Sequence, residues 1–178
     1  MEGDQNEMKK ASAKLGAQIH DAKAQELQNI AKNAVKKGLS PKEVLGLNDS
    51  MVEGIYGQAY RLYNTGRYKD ASQIFRMLIM INAAEPKYTM GLAACLHMMK
   101  DYPQAVKLYT VCGLLDPNNP IPYYHASDCY LQMNDQTSAL ISLEMAVKRA
   151  GEKPEYQTLK DRALMTIESL KKELQAKK

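Results

Sequence analysis

The stretch YGQAYRLYNTGRYKDASQIFRML, residues 56–78, decides how this chain folds. Ala59 and Leu62, with Ile55 one turn before them, recur at the three- and four-residue spacing that lines one face of a helix. Gly66 breaks that run, Tyr68 opens a return helix, and Ala71, Phe75 and Leu78 line its facing side. The first helix also carries a second stripe. Tyr56, Tyr60 and Tyr63 each follow a packing residue by one position, and so lie about 100° further round the helix. One stripe builds a core, and a second calls for another purpose.

The pattern recurs. Ala71, Ala105 and Ala139 are 34 residues apart, twice over. Four residues after each comes a large side chain (Phe75, Tyr109, Leu143), and seven after each comes Leu78, Cys112 or Ala146. Twelve before each stands a small residue (Ala59, Ala93, Ser127), and nine before each Leu62, Leu96 or Tyr130. This register resembles the tetratricopeptide repeat, a 34-residue helix–turn–helix that stacks into a solenoid. The expected fold is all-α, with three tandem repeats at 52–85, 86–119 and 120–153. The position often held by tryptophan is degenerate (Ile55, Thr89, Tyr123), and the closing proline survives only as Pro117.

Local signals agree with this phase. A first helix is expected from about Met51 to Asn64, with Ser50 and Glu53 as a capping box. A second should run from Tyr68 through Ile81. Pro86 suits the first turn of the next helix, Asp101-Tyr102-Pro103 begins its return, Asn119-Pro120 opens the third pair and Gly151 ends it. In repeats of this kind the face beside the packing stripe lines the concave inner surface. The inner positions are then Tyr56, Tyr60 and Tyr63 in the first repeat, Met90, Ala94 and His97 in the second, and Tyr124, Asp128 and Leu131 in the third. Exposed apolar stripes of this sort mark contact surfaces, although the tyrosines could instead pack on the N-terminal region or on a second copy.

Residues 1–17 are polar and are expected to fray. An N-terminal helical arm is expected over 18–50, with an amphipathic helix from Ile19 to Lys37 bearing Leu27, Ile30, Ala31, Ala34 and Val35 on one side. Gly38 would end it, and Ser40, Pro41 and Glu43 would start a short helix ending near Leu45. Residues 154–178 read as a capping helix with Leu159, Ala163, Ile167, Leu170 and Leu174 on its inward face, covering the end of the array.

Composition excludes several classes of function. Charges are interspersed, with eight basic and seven acidic groups in 1–50, nine and eight in 52–151, and seven and five in 152–178. No dense basic stripe for phosphates emerges, so nucleic acid is not an expected partner. No apolar run nears the roughly 20 residues of a membrane span, and MEGDQNEMKKASAK lacks a signal peptide's apolar core, so a cytosolic location is expected. Cys95, Cys112 and Cys129 are 17 residues apart without a CxxC or paired histidines, which reads as structural and not as a metal site. His20, His97 and His125 fall on different segments, and no nucleophile elbow or phosphate loop appears. A His97–Asp128 pair is conceivable on the inner face, yet the reading is a non-enzyme without cofactor or metal. A clamp for a peptide C-terminus would need Lys and Asn where Tyr56, Tyr60 and Met90 stand.

The segments LGLNDSMVEGIYGQAYRLYNTGRYKDASQIFRMLI, YTMGLAACLHMMKDYPQAVKLYTVCGLLDP and HASDCYLQM, with the ending GEKPEYQTLKDRA, resemble the class II translocator chaperones of bacterial type III secretion. The likeness spans about Lys37 to Ala163. It implies a chaperone of the bacterial cytoplasm that keeps hydrophobic pore-forming translocators soluble and separate until secretion. It further implies an extended, proline-containing client segment in the concave groove, and pairing of two copies through the N-terminal helices. Carried over by position, the groove residues are Tyr56, Tyr60, Tyr63, Met90, His97 and Tyr124. Tyr60 and Tyr63 match the family's YxxY pattern, whereas His97 stands where glutamine is frequent. Some relatives also act as transcriptional co-regulators; a generic adaptor or co-regulator without a translocator client is the alternative.

Overall fold

The computed structural model describes Gly38 and residues 40–176. The expected frayed terminus and the Ile19–Lys37 helix lie outside the described residues. The chain divides into two units, 1–47 and 48–178. In the first, α1 (Pro41–Val44) has the expected capping box: Ser40 Oγ accepts from Glu43 N at 3.3 Å while Ser40 N donates to Glu43 Oε2 at 2.7 Å.

The second unit consists, among the described residues, of helices and their connections. They are α2 (Asp49–Asn64), α3 (Tyr68–Ile81), α4 (Pro86–Met98), α5 (Tyr102–Leu115), α6 (Ile121–Gln132) and α7 (Gln136–Ala150). A 3₁₀ turn at Pro154–Tyr156 then leads into α8 (Gln157–Ala176). Each helix packs on its neighbours in sequence, the arrangement of a solenoid built from helix pairs.

Two boundaries differ from expectation. Helix α2 begins at Asp49, and its cap is Asn48, whose side chain accepts from Met51 N at 2.8 Å. Capping there places Asp49 in the first turn, where its charge complements the helix dipole. Glu53 is then released from the expected box and pairs with Lys87 instead. At the other end, Pro154 opens the short 3₁₀ turn and the α-helix proper starts at Gln157.

Burial follows the 34-residue phase. Ala59, Ala93, Ala71, Ala105 and Ala139 are all 0% exposed, and Phe75, Tyr109 and Leu143 are buried beside them. Small residues let the helix axes approach, and the large ones fill the space between successive pairs. The first packing stripe is corrected in one place: Val52 is buried with Ala59 and Leu62, while Ile55 is half-buried.

The turn inside each pair repeats as well. Gly66, Lys100 and Asn134, again 34 apart, have φ of 79°, 64° and 60°. At each, the following amide closes back onto the helix: Arg67 N to Leu62 O, Asp101 N to Leu96 O and Asp135 N to Tyr130 O, all at 2.9 Å. These are Schellman caps, which need a left-handed residue just past the helix end.

Helix α8 lays Ala163, Ile167 and Leu170 against Ala139 and Leu143 of α7. The burial of Ala163, Ile167 and Leu170 covers the end of the last pair, with Lys171–Glu144 and Gln136–Glu173 contacts along the rim.

Candidate functional site

Tyr56, Tyr60 and Tyr63 project from one side of α2 because they share its helical face, and α4 sets Met90 and Ala94 opposite. Together with Phe75, Lys87 and Gly91 they enclose an open cleft of about 190 Å³. Tyr56 organises it. Its ring stacks on Tyr60 at 6.4 Å, meets the Phe75 edge at 6.1 Å and lies 5.9 Å from Tyr88. Tyr63 is braced by Tyr68 at 5.4 Å. Tyr60 is the most open of the three, at 53% exposed. Burial raises the pKa of the Tyr56 and Tyr63 hydroxyls, so both remain hydrogen-bond donors at neutral pH.

The cleft depends on Gly91. A Cβ there would lie 2.3 Å from Phe75 Cε1, well inside contact distance. The absent side chain lets the Phe75 ring press on the α4 backbone and form the cleft wall. At the rim, Lys87 Nζ donates to Glu53 Oε1 at 2.6 Å and lies 4.8 Å from the Tyr56 ring centroid. The residue types on the cleft wall are otherwise apolar or aromatic.

Further along, His97 connects the second and third pairs. Its Nε2 is 2.8 Å from Asp128 Oδ2, and its Nδ1 is 3.3 Å from the hydroxyl of buried Tyr109. His125 stacks on Tyr109 at 5.6 Å and lies 6.3 Å from His97. Desolvation, and secondarily His97, lowers the His125 pKa, against a smaller opposing effect of Asp128. Tyr124, Asp128 and Leu131 border a second cleft of about 200 Å³, together with His125, Ser127 and Thr166 of α8. Tyr124 and Leu131 also pack partly on the cluster that α8 forms with α7, so the third pair gives its inner side chains partly to the cap.

Eight of the nine residues singled out from sequence border one of the two clefts, and the ninth, His97, lines neither but contacts Asp128 of the second. Tyr56, Tyr60, Tyr63, Met90 and Ala94 border the first, and Tyr124, Asp128 and Leu131 the second. Sequence reading missed Lys87 as a wall residue, although a signal existed: Glu53 and Lys87 are 34 apart, hence opposite charges at equivalent places in adjacent repeats. Phe75 serves both core and cleft. The cysteines are buried, and desolvation pushes Cys95 to about 11 and Cys112 and Cys129 to about 12. Among the described residues no group of His, Cys, Asp and Glu could hold a metal ion, and no helix is long and apolar enough to cross a membrane.

The tetratricopeptide-repeat family profile matches residues 52–82 and 86–119. The chaperone protein SicA of Salmonella typhimurium is 34% identical over 139 residues, spanning 78% of this chain and 82% of SicA. Among solved structures, the Yersinia enterocolitica type III secretion chaperone SycD, in complex with a peptide of the translocator YopD, is 28% identical with a TM-score of 0.69. That match covers 71% of this chain and 96% of SycD. PcrH, from Pseudomonas aeruginosa, in complex with the chaperone binding region of PopD, is 30% identical with a TM-score of 0.69, covering 72% and 96%. The repeat phase, the helix order and these likenesses agree, and the chain belongs to the tetratricopeptide-repeat translocator chaperones of type III secretion.

Proposed function

We propose that this chain holds an extended, apolar, proline-containing segment of a secreted translocator along its inner face in the bacterial cytoplasm, keeping the client soluble and apart from its partners before secretion. The observation that carries this reading is the open cleft of Tyr56, Tyr60 and Tyr63 on a fold whose relatives SycD and PcrH have been solved with translocator segments. A client that later inserts into a membrane exposes apolar segments that would aggregate in water. A groove already formed by packed helices receives such a segment with little ordering of its own. Apolar side chains of the client enter between the tyrosine rings, while the phenol hydroxyls hydrogen-bond its backbone.

The action is binding without catalysis. Both ring nitrogens of His97 are already engaged, by Asp128 and by Tyr109, and the three thiols are buried and protonated. Pairing of two copies through residues 1–30 belongs to the same reading, supported by the dimer solved for SycD.

The test is a pull-down from lysate of the native bacterium with wild type and with Tyr60→Asp, retained proteins being identified by mass spectrometry. Tyr60 is half-exposed, so the substitution leaves the fold intact by circular dichroism. Wild type is expected to retain a hydrophobic secreted translocator and the variant to lose it. Equal retention by both would move the binding surface away from the tyrosines, and retention by neither would remove the translocator client.

A further inference from the structure

The two clefts differ in chemistry. The first is walled by rings and aliphatic groups, and its one cation, Lys87, is matched by Glu53. The second presents oxygen acceptors. Ser127 Oγ donates its proton to Tyr124 O at 2.6 Å, and Thr166 Oγ1 donates to Arg162 O at 3.0 Å. With those protons committed to helix carbonyls, both hydroxyls turn only lone pairs toward the cleft.

Asp128 supplies the charge. The buried Tyr109 hydroxyl, its pKa raised far above the usual phenol range, lies 3.3 Å from His97 Nδ1. Asp128 Oδ2 lies 2.8 Å from Nε2 of the same ring, placed to accept from it. Both ring nitrogens of His97 are thereby engaged, and the second oxygen of the Asp128 carboxylate is left for a further donor. The Asp128 side chain is 50% exposed, against 16% for His97. Among the described residues no lysine or arginine makes an ion pair with it. The His125 ring beside this cluster is held neutral by desolvation. The third-repeat end of the groove is therefore anionic and rich in acceptors, and the first-repeat end is apolar.

We propose that the second cleft is a cation subsite, which takes a lysine or arginine of the same client segment whose apolar side chain occupies the first cleft. This deepens the groove function proposed above and rests on it. The client is then read twice, by shape at the tyrosines and by charge at Asp128.

The experiment uses the full chain and short synthetic proline-containing peptides with a single leucine. Lysine, glutamine or glutamate is scanned through the flanking positions, and binding is followed by fluorescence anisotropy. At one register the lysine peptide should bind about 5-fold tighter than the glutamine peptide, the upper range for a half-exposed ion pair. The glutamate peptide should be weakest, and added salt should shrink the differences. Asp128→Asn keeps an acceptor for His97 and should abolish the lysine preference, so that lysine and glutamine peptides bind the variant equally. Tyr60→Asp should weaken all three. Equal binding of lysine and glutamine peptides at every register, or a lysine preference that survives Asp128→Asn, would overturn the cation subsite. Loss of the preference in Asp128→Asn with no effect of Tyr60→Asp would uphold the subsite and remove the tyrosine cleft.

Discussion

Gly91→Ala tests whether the cleft wall is built as described. The new Cβ would meet Phe75 at 2.3, 2.4 and 2.7 Å, against the 3.4–4 Å of ordinary contact, so the ring must withdraw by about 1 Å. Phe75 is 2% exposed and wedged beside Tyr56, which leaves the cleft as its outlet. Overpacking of this kind costs about 1–3 kcal/mol. Replacing glycine within a helix returns about 0.5–1 kcal/mol through backbone entropy. The net expectation is a loss of up to about 2.5 kcal/mol, or up to about 10 °C in Tm for a chain of this size. Gly54→Ala is the control, since its added Cβ meets nothing within 4 Å and the exposed site should gain about 0.5–1 kcal/mol. Urea unfolding followed by circular dichroism measures both. The displaced ring also narrows the cleft, so client binding should fall in Gly91→Ala and not in Gly54→Ala. If Gly91→Ala proves as stabilising as Gly54→Ala, Phe75 does not press on α4 and the cleft wall is wrong.

Two further outcomes follow from the same geometry. Lys100→Gly should stabilise by about 0.5–1 kcal/mol in thermal unfolding, because the second repeat's Schellman turn holds lysine at φ 64° where the first has glycine. The pKa of His125 is lowered on folding, so the unfolded chain binds the extra proton: this contribution to stability is complete above the unfolded pKa of about 6.5 and is lost as pH falls below it. His125→Phe keeps the ring on Tyr109 and should flatten the pH dependence of urea unfolding between pH 7 and 5.

What was legible in the sequence was what repeats in phase. Alanine at 59 and 93, and at 71, 105 and 139, places the close approaches within the helix pairs, because small side chains stand where burial is complete. The tyrosine stripe was legible for the same reason, being one position out of phase with packing. The turns were half-hidden: a left-handed residue stands at each, yet only the first is a glycine. The start of α2 was misplaced because Asn48 and Ser50 can both cap, and the choice rests on geometry that a spacing rule does not rank. The Asp128 cleft was out of reach. Its character depends on which protons Ser127 and Thr166 have already committed, and on bringing together residues of several helices.

The central claim is that a translocator lies along the tyrosine side of the repeats. Site-specific photocrosslinking in the native bacterium tests it most directly, with a benzophenone amino acid placed at Tyr60 in the cleft or at Met80, which is exposed at 70% on α3. The account predicts a crosslink from position 60 to a hydrophobic secreted protein and none from position 80. A crosslink to that protein from position 80 alone would contradict it.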